Sequence, residues 1–307
     1  MKTLLIHGGA GRIREPSHQA LQALRDACKA GLSRDNALDM VVEAVAAMED
    51  SGQFNAGQGS SLNLLGEREM DAGVMTSTGL LGAVAAVRYP RNPVRLARIV
   101  AEATDHVLLA GPGADRLAEG LGLPQIPPPS RGIVERYRRL LEEYRRGEYP
   151  LYRGNLETAR DAGLMDTVGA VAWDGEALAA ATSTGGVWLK LPGRVGDTPI
   201  PGAGFLATPR LAGSSTGLGE AIIRAMPLQR LDQLLASGLD LHEALKILGR
   251  IIEDAVGPGT MGLIAVTSRG EAGIYYNTEG IYTASCTSTS IEASLHMGGG
   301  IIMLQGG

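Results

Sequence analysis

The sequence predicts a mixed α/β fold in which helices cover the outer faces of stacked β-sheets, a four-layer α/β/β/α sandwich. Three observations carry this. Short apolar runs of strand length alternate in groups with segments of helical spacing. The 43 glycines in 307 residues, many of them clustered, call for tight strand connections and close backbone approaches. No internal repeat divides the chain.

In order, residues 3–7 (TLLIH) read as a buried strand running into a glycine turn at 8–11. Helical spacing follows over 17–31 and 34–50, on Leu21, Leu24, Ala27 and Cys28, then on Leu38, Val41, Val42 and Val45. Residues 52–66 read as a loop. Strands are predicted at 71–78 and 81–89, joined by Gly79, and helices at 93–104 and 111–121. The stretch 122–166 opens on PQIPPPSRG, continues as a charged helical run and ends in ETARDAGLMD. Its prolines and charges mark a linker or exposed excursion. At Thr167 the character changes: TVGAVAWD and ALAAATST form a hairpin of small and β-branched residues about Gly175. Helical pattern returns at 217–226, 228–236 and 241–255. Three strands, 260–267, 272–277 and 280–285, close the chain.

Apolar residues make up 44 % and charged residues 20 %, an ordinary globular mix. The net charge of −5 argues against nucleic acid, which wants a basic field. No apolar run approaches a membrane span. MKTLLIHGGAG lacks the long apolar region of a signal peptide, so a soluble cytoplasmic protein is expected. Two cysteines, Cys28 and Cys286, make neither a disulfide framework nor a zinc quartet.

Two familiar motifs fit poorly. HGGAGR at 7–12 follows a strand, but a dinucleotide loop would need glycine where Arg14 stands, and no P-loop lysine motif exists. GSSTG at 213–217 matches G-x-S-x-G with Ser215 as nucleophile. Asp232 or Asp240 and His242 or His296 stand in triad order, which keeps a serine esterase as an alternative. Asp166-Thr167, where the linker meets a strand, says little alone. Around it stand FNAGQGS at 54–60, MDAGVM at 70–75, TSTGG at 182–186, GRVGDTPIPGAG at 193–204 and STGLGE at 215–220.

With HGGAG, FNAG, DTVGAVAWD, TSTGG, GRVGD and TG-x-GE in that order, the chain resembles the N-terminal-nucleophile asparaginases over nearly its whole length. These are the plant-type asparaginase/isoaspartyl peptidases and the glycosylasparaginases. The resemblance implies the Ntn-hydrolase form of the sandwich. It implies one domain over 1–307, made as a precursor that cuts itself between Asp166 and Thr167 into 1–166, with 122–166 as a flexible linker, and 167–307. It implies hydrolysis of β-aspartyl dipeptides and of the L-asparagine side-chain amide. Thr167 would be the nucleophile, with its new α-amine as base, and Thr184 would tune its hydroxyl. Thr216 and the Gly217 N–H would form the oxyanion hole, and Asn55 would line the pocket. Arg194 would take the substrate α-carboxylate, a task suited to a planar fork of donors. Asp197 would take the α-ammonium, beside Gly219. No catalytic cofactor is implied. A structural sodium ion is, held by backbone carbonyls of Met48, Glu49, Ser51, Phe54, Ala56 and Gln58, and so is a homodimer binding a small-molecule or dipeptide substrate.

Gly185-Gly186 and Leu218-Gly219-Glu220 resemble the isoaspartyl peptidase branch, whereas Asp166-Thr167 is the junction typical of glycosylasparaginases and threonine aspartases. A glycosylasparaginase-like or threonine-aspartase-like hydrolase therefore stays open. So does a noncatalytic amino-acid-binding protein that keeps the Arg194/Asp197 pair.

Overall fold

Strand β1 (Thr3–Gly11) shows how the layers divide. Side chains alternate along a strand. Leu4 and Ile6 enter a core beneath helices, while Leu5, between them, enters a different core with Val171, Leu178, Phe205 and Ile264. The second core lies between two sheets, and a third lies under a second group of helices. The structure, a computed structural model, describes residues 2–12, 16–149, 167–287 and 289–304.

The larger sheet takes in β1, β2 (Met70–Thr76), β3 (Leu81–Val87), β4 (Leu108–Ala110), β5 (Val168–Trp173), β6 (Leu178–Thr184), β11 (Gly280–Thr287) and β12 (Ile291–Met297). Its order is β12-β11-β1-β5-β6-β2-β3-β4, antiparallel except for the parallel pair β3 and β4. The smaller sheet holds β7 (Phe205–Ala207), β8 (Leu211–Gly217), β9 (Met261–Thr267), β10 (Ala272–Tyr276) and β13 (Gly300–Leu304), ordered β13-β10-β9-β8-β7. Helices α1 (His18–Leu32), α2 (Ala37–Ser51) and α3 (Pro93–Ala103) cover the larger sheet, with α4 (Gly111–Gly120) beside β3 and β4. Helices α6 (Gly219–Ala225), α7 (Pro227–Ala236) and α8 (Leu241–Val256) cover the smaller one. The predicted four layers are present.

The helix starts follow capping chemistry. Ser17, Asn36 and Asp240 each accept the backbone N–H three residues on, satisfying one of the orphaned donors at a helix start. Between the sheets, Phe205 is fully buried, and its ring lies where any side chain larger than glycine at position 73 would stand. Truncating such a residue to alanine costs about 3–5 kcal/mol.

Several expectations need correction. The HGGAG segment does not leave the sheet as a turn. β1 continues to Gly11, with a bulge between His7 and Ala10 where Gly9 takes φ 111°. Gly8 is required there because a Cβ would stand 2.5 Å from the Phe54 ring. Five strands, not three, close the chain. β12 and β13 are half-exposed edge strands, so they lack the apolar run that marks a buried one. The short edge strand β4 has no signal at all.

The charged run is not a bare solvated helix. It forms α5 (Arg131–Arg145), whose Ile133, Tyr137, Leu140 and Leu141 pack with Leu62, Leu64 and Trp188. Arg136 stacks 4.9 Å above Trp188. The two cysteines are joined: Cys28 on α1 and Cys286 on β11 form a buried disulfide, their Cα atoms 5.8 Å apart. Sequence spacing hides this pairing because 258 positions separate the partners. Residues 150–166, which include Asp166, lie outside the described residues. Among those described, no helix is long and apolar enough to cross a membrane.

Candidate active site

Thr167 stands just ahead of β5, in the middle of the larger sheet and facing the smaller one. Its ladder neighbours begin one residue later, with Val168 opposite Ser183 on β6. Only 5 % of Thr167 is exposed. Its hydroxyl donates to Thr184 Oγ1 at 3.1 Å, and the same oxygen accepts the Gly186 N–H at 3.0 Å. Thr184 ends β6, and the chain turns away through Gly185 and Gly186. A Cβ on Gly185 would meet Asn55 Oδ1 at 2.6 Å, and Gly186 has φ 77°. Both glycines are therefore conditions for the turn that leaves the two threonines facing one another.

A pocket opens beside them. Thr167, Thr184, Gly186 and Val187 form one wall, and Arg194, Gly196, Asp197, Thr198, Gly217 and Gly219 the other. Arg194 is largely buried, with its side chain 15 % exposed. Its Nε and Nη2 donate to the two oxygens of Glu220, at 3.0 and 2.8 Å. Burial alone would lower the guanidinium pKa, but the Glu220 carboxylate outweighs it and raises it. Asp197 is not the partner of Arg194 in a surface pair. It is buried, its Oδ2 has no hydrogen-bond partner among the described residues, and burial pushes its pKa up to about 7 against the pull of Arg194. Gly219 lets this pair approach: a Cβ there would meet Arg194 Nη2 at 2.8 Å and Asp197 Oδ1 at 3.1 Å. Behind lie buried Asp71 and Lys190. Burial raises the Asp71 carboxyl and lowers the Lys190 ammonium, which donates to the Glu69 carbonyl at 2.7 Å.

Thr216 and Gly217 end β8. The Thr216 hydroxyl is buried without a partner among the described residues, an orphan that such an interior position does not normally leave unpaired. Gly217 takes φ 138°, and a Cβ would stand 2.4 Å from the Thr260 carbonyl oxygen. The Thr198 hydroxyl is likewise buried and has no partner among the described residues. Hydroxyls and a carboxylate oxygen left unsatisfied around one pocket are groups awaiting a polar ligand.

The family model described as asparaginase matches residues 1–295. The chain belongs to the asparaginase family. It is 49 % identical to the plant-type L-asparaginase of Pyrobaculum calidifontis over 289 residues, covering 91 % of this chain and 94 % of the relative. It is 42 % identical to the plant-type L-asparaginase of Pyrococcus abyssi over the same shares of the two chains. It is also 41 % identical to the isoaspartyl peptidase of Salmonella typhimurium, over 92 % of this chain and 94 % of that one.

Of the residues singled out from the sequence, Thr167, Thr184, Arg194, Asp197, Gly217 and Gly219 line the one pocket, with Thr216 adjoining Gly217. Asn55 is otherwise engaged. Its amide donates to the Gly186 carbonyl at 2.5 Å and its Oδ1 accepts the Ser61 N–H, so it braces the pocket wall. Ser215 does not sit on a strand-to-helix elbow. It is fully buried within β8, and its hydroxyl bonds no described histidine: His242 is exposed on α8, and His296 bonds Thr283. The serine esterase reading fails on that geometry.

Of the carbonyls singled out for sodium, those of Met48, Phe54, Ala56 and Gln58 each accept a hydrogen bond within the protein. Each keeps a second lone pair. Gly57 and Gly59 let carbonyls crowd in, with Glu49 O and Phe54 O lying 2.6 and 2.0 Å from where their Cβ atoms would be. The donor set suits a hard cation.

Glu220 and Thr198 escaped the sequence reading as individual site residues, although both fall inside singled-out motifs. His7 escaped it too. It opens the singled-out HGGAG motif, but its own role appears only once its partners are known.

Proposed function

We propose that this protein is a self-activating threonine hydrolase acting on L-asparagine and β-aspartyl dipeptides. The observation that carries it is the Thr167–Thr184 hydroxyl pair facing a pocket whose other wall holds Arg194 and Asp197, whose Oδ2 has no hydrogen-bond partner among the described residues. The names of the relatives support the substrate class.

In the precursor, the Thr167 hydroxyl attacks the Asp166 carbonyl carbon. The C–N bond breaks, the nitrogen becomes the free α-amine of Thr167, and Asp166 is held as an ester on its oxygen. Water hydrolyses the ester. An α-amine has a reference pKa of about 8, so it is partly neutral near neutral pH and serves as the base, a part for which no described side chain beside Thr167 is placed. In turnover that amine takes the hydroxyl proton while Thr167 Oγ1 attacks the substrate β-carbonyl. Thr216 and the Gly217 N–H stabilise the oxyanion. The proton passes to the leaving group, ammonia from asparagine or the amino group of a dipeptide's second residue. Water then releases aspartate from the β-aspartyl ester. Arg194, held in its fork by Glu220, faces the α-carboxylate, and Asp197 faces the α-ammonium.

The loop after α2 holds a sodium ion in this proposal, through carbonyls at the helix C-terminus and in residues 52–58. A higher melting temperature in sodium chloride than in choline chloride of equal strength checks it, and equal temperatures would remove it.

The deciding test is the mass of the denatured, reduced protein after incubation near neutral pH, followed by assay with β-aspartyl dipeptides. Fragments 1–166 and 167–307, with aspartate released, are expected. A chain that stays whole, or that binds aspartate without turning over any β-aspartyl substrate, would overturn the reading.

A further inference from the structure

His7 is fully buried and lies between the two sheets. Its Nδ1 is 3.1 Å from the carbonyl oxygen of Thr167, and its Nε2 is 2.8 Å from Ser214 Oγ. The carbonyl settles the tautomer. A carbonyl oxygen can only accept, so Nδ1 must carry the proton, and in a neutral ring Nε2 must then accept from the Ser214 hydroxyl. Burial drives the imidazole pKa down to about 3, so the ring is neutral throughout the range in which an enzyme of this kind would work. Both nitrogens are engaged, which leaves no lone pair to take the nucleophile's proton. His7 is not the base.

The two partners explain what it does. Thr167 precedes the first ladder pairs of its strand, Val168 with Ser183 and Gly169 with His7, so its own carbonyl is held through the His7 ring. Ser214 stands two residues before Thr216 on β8 and therefore projects to the same side of that strand. Gly169, opposite His7 in the register, makes room for the contact: a Cβ there would stand 2.0 Å from Ser214 Oγ and 2.3 Å from His7 Nε2. We propose that His7 is a positioning residue that fixes the Thr167 backbone by its carbonyl and ties it to the strand carrying Thr216. The distance between the nucleophile and the oxyanion site is set through this one ring. The need is greatest after the cut, when Thr167 has become a chain end with nothing before it to hold it in place. This inference rests on the reading of Thr167 as the nucleophile.

The test uses two amides. The side-chain nitrogen of asparagine falls where Nδ1 of histidine stands, and that of glutamine where Nε2 stands. His7→Asn therefore keeps the donor to the Thr167 carbonyl, and His7→Gln keeps only the contact with Ser214. His7→Gln is expected to lower kcat and the rate of self-cleavage about 100-fold, the scale of a misplaced reacting group, with KM unchanged. His7→Asn is expected to restore most of both. Equal losses in the two variants, or a change confined to KM, would overturn the proposal.

A second measurement needs no variant to fold. Nitrogen-15 NMR of the wild-type histidines should show one ring protonated on Nδ1 alone and unchanged between pH 5 and 8, lost in the spectrum of His7→Asn or, where that variant does not fold, assigned through its coupling to β1. A His7 ring protonated on Nε2 overturns the proposal. Failure of the underlying reading looks different, since a wild-type protein that is never cut before Thr167 refutes the nucleophile whatever tautomer His7 adopts.

Discussion

The two walls of the pocket are built on opposite principles. The Thr167–Thr184 wall is neutral: hydroxyl meets hydroxyl, and glycine backbone closes the turn. The facing wall gathers Arg194 and Asp197, with Asp71 and Lys190 behind them, largely out of water, and the half-exposed Glu220 carboxylate holds Arg194 from the solvent side. In the proposed function the difference separates the nucleophile from the recognition of substrate. A weak nucleophile needs a base at close range and a fixed position, and neither requires a charged side chain once the α-amine exists. A small zwitterion, by contrast, is recognised only by charges already stripped of water, where each contact counts for more. In the proposed reaction the threonine wall supplies the nucleophile, while the facing wall selects through its charges and carries the oxyanion site at Gly217.

Substitutions on each wall should therefore fail in different ways. Thr167→Ala has the largest expected effect: the chain stays whole on a reducing gel and shows no turnover. Thr216→Val, which removes the orphan hydroxyl at nearly constant volume, is expected to lower kcat by about 10²–10³ with little change in KM. Asp197→Asn should act on the other axis. Losing a hydrogen bond to a charged group costs about 1.5–3 kcal/mol, so KM for β-aspartyl dipeptides should rise about 10- to 150-fold while self-cleavage proceeds. A fall in self-cleavage equal to the loss of affinity would merge the two walls into one function.

The pH profile sharpens the same contrast. The folded-state pKa of Asp197 is raised to about 7, so its carboxylate is charged above that value and protonated below it. The wild-type kcat/KM should fall as the α-amine protonates below about 8 and fall more steeply below about 7, where Asp197 also protonates, and Asp197→Asn should keep the first fall and lose the added steepness. The smallest effect concerns packing. Gly169→Ala puts a methyl 2.0 Å from Ser214 Oγ, and overpacking of this kind costs about 1–3 kcal/mol, read as a lower melting temperature of the precursor.

Legibility in the sequence followed the same division. Strands β1, β5, β6 and β9 are runs of small and branched apolar residues, and their periodicity announces them. β12, which reads IEASLHM, and three-residue β4 are edge strands whose pattern is set by partial exposure, which no local count reports. In the site, Thr184, Arg194, Asp197 and Thr216 stand in glycine-bounded motifs whose order carries the family resemblance, and it is that resemblance which gives them roles, since each alone reads as an ordinary strand, cap or surface residue. Asn55 was legible as a motif residue but not in its orientation. Its two hydrogen bonds to Gly186 and Ser61 exist only once the loop has folded over Gly185. His7 and Ser214 lie 207 positions apart, and nothing in either neighbourhood points to the other. Contacts between sheets depend on the stacking of layers, and that is a property of the whole chain.

The disulfide between Cys28 and Cys286 gains a meaning from where the proposed cut falls. One sulfur belongs to 1–166 and the other to 167–307. Before the cut the bond closes a long ring and restricts the unfolded chain. After it, the ring is opened and the same bond becomes the covalent link between two separate polypeptides. Unfolding then remains a first-order event, since the halves cannot diffuse apart. Refolding becomes a search within one molecule at a high effective concentration instead of an encounter between two. Reduction would change the molecularity of the transition, making its midpoint depend on protein concentration.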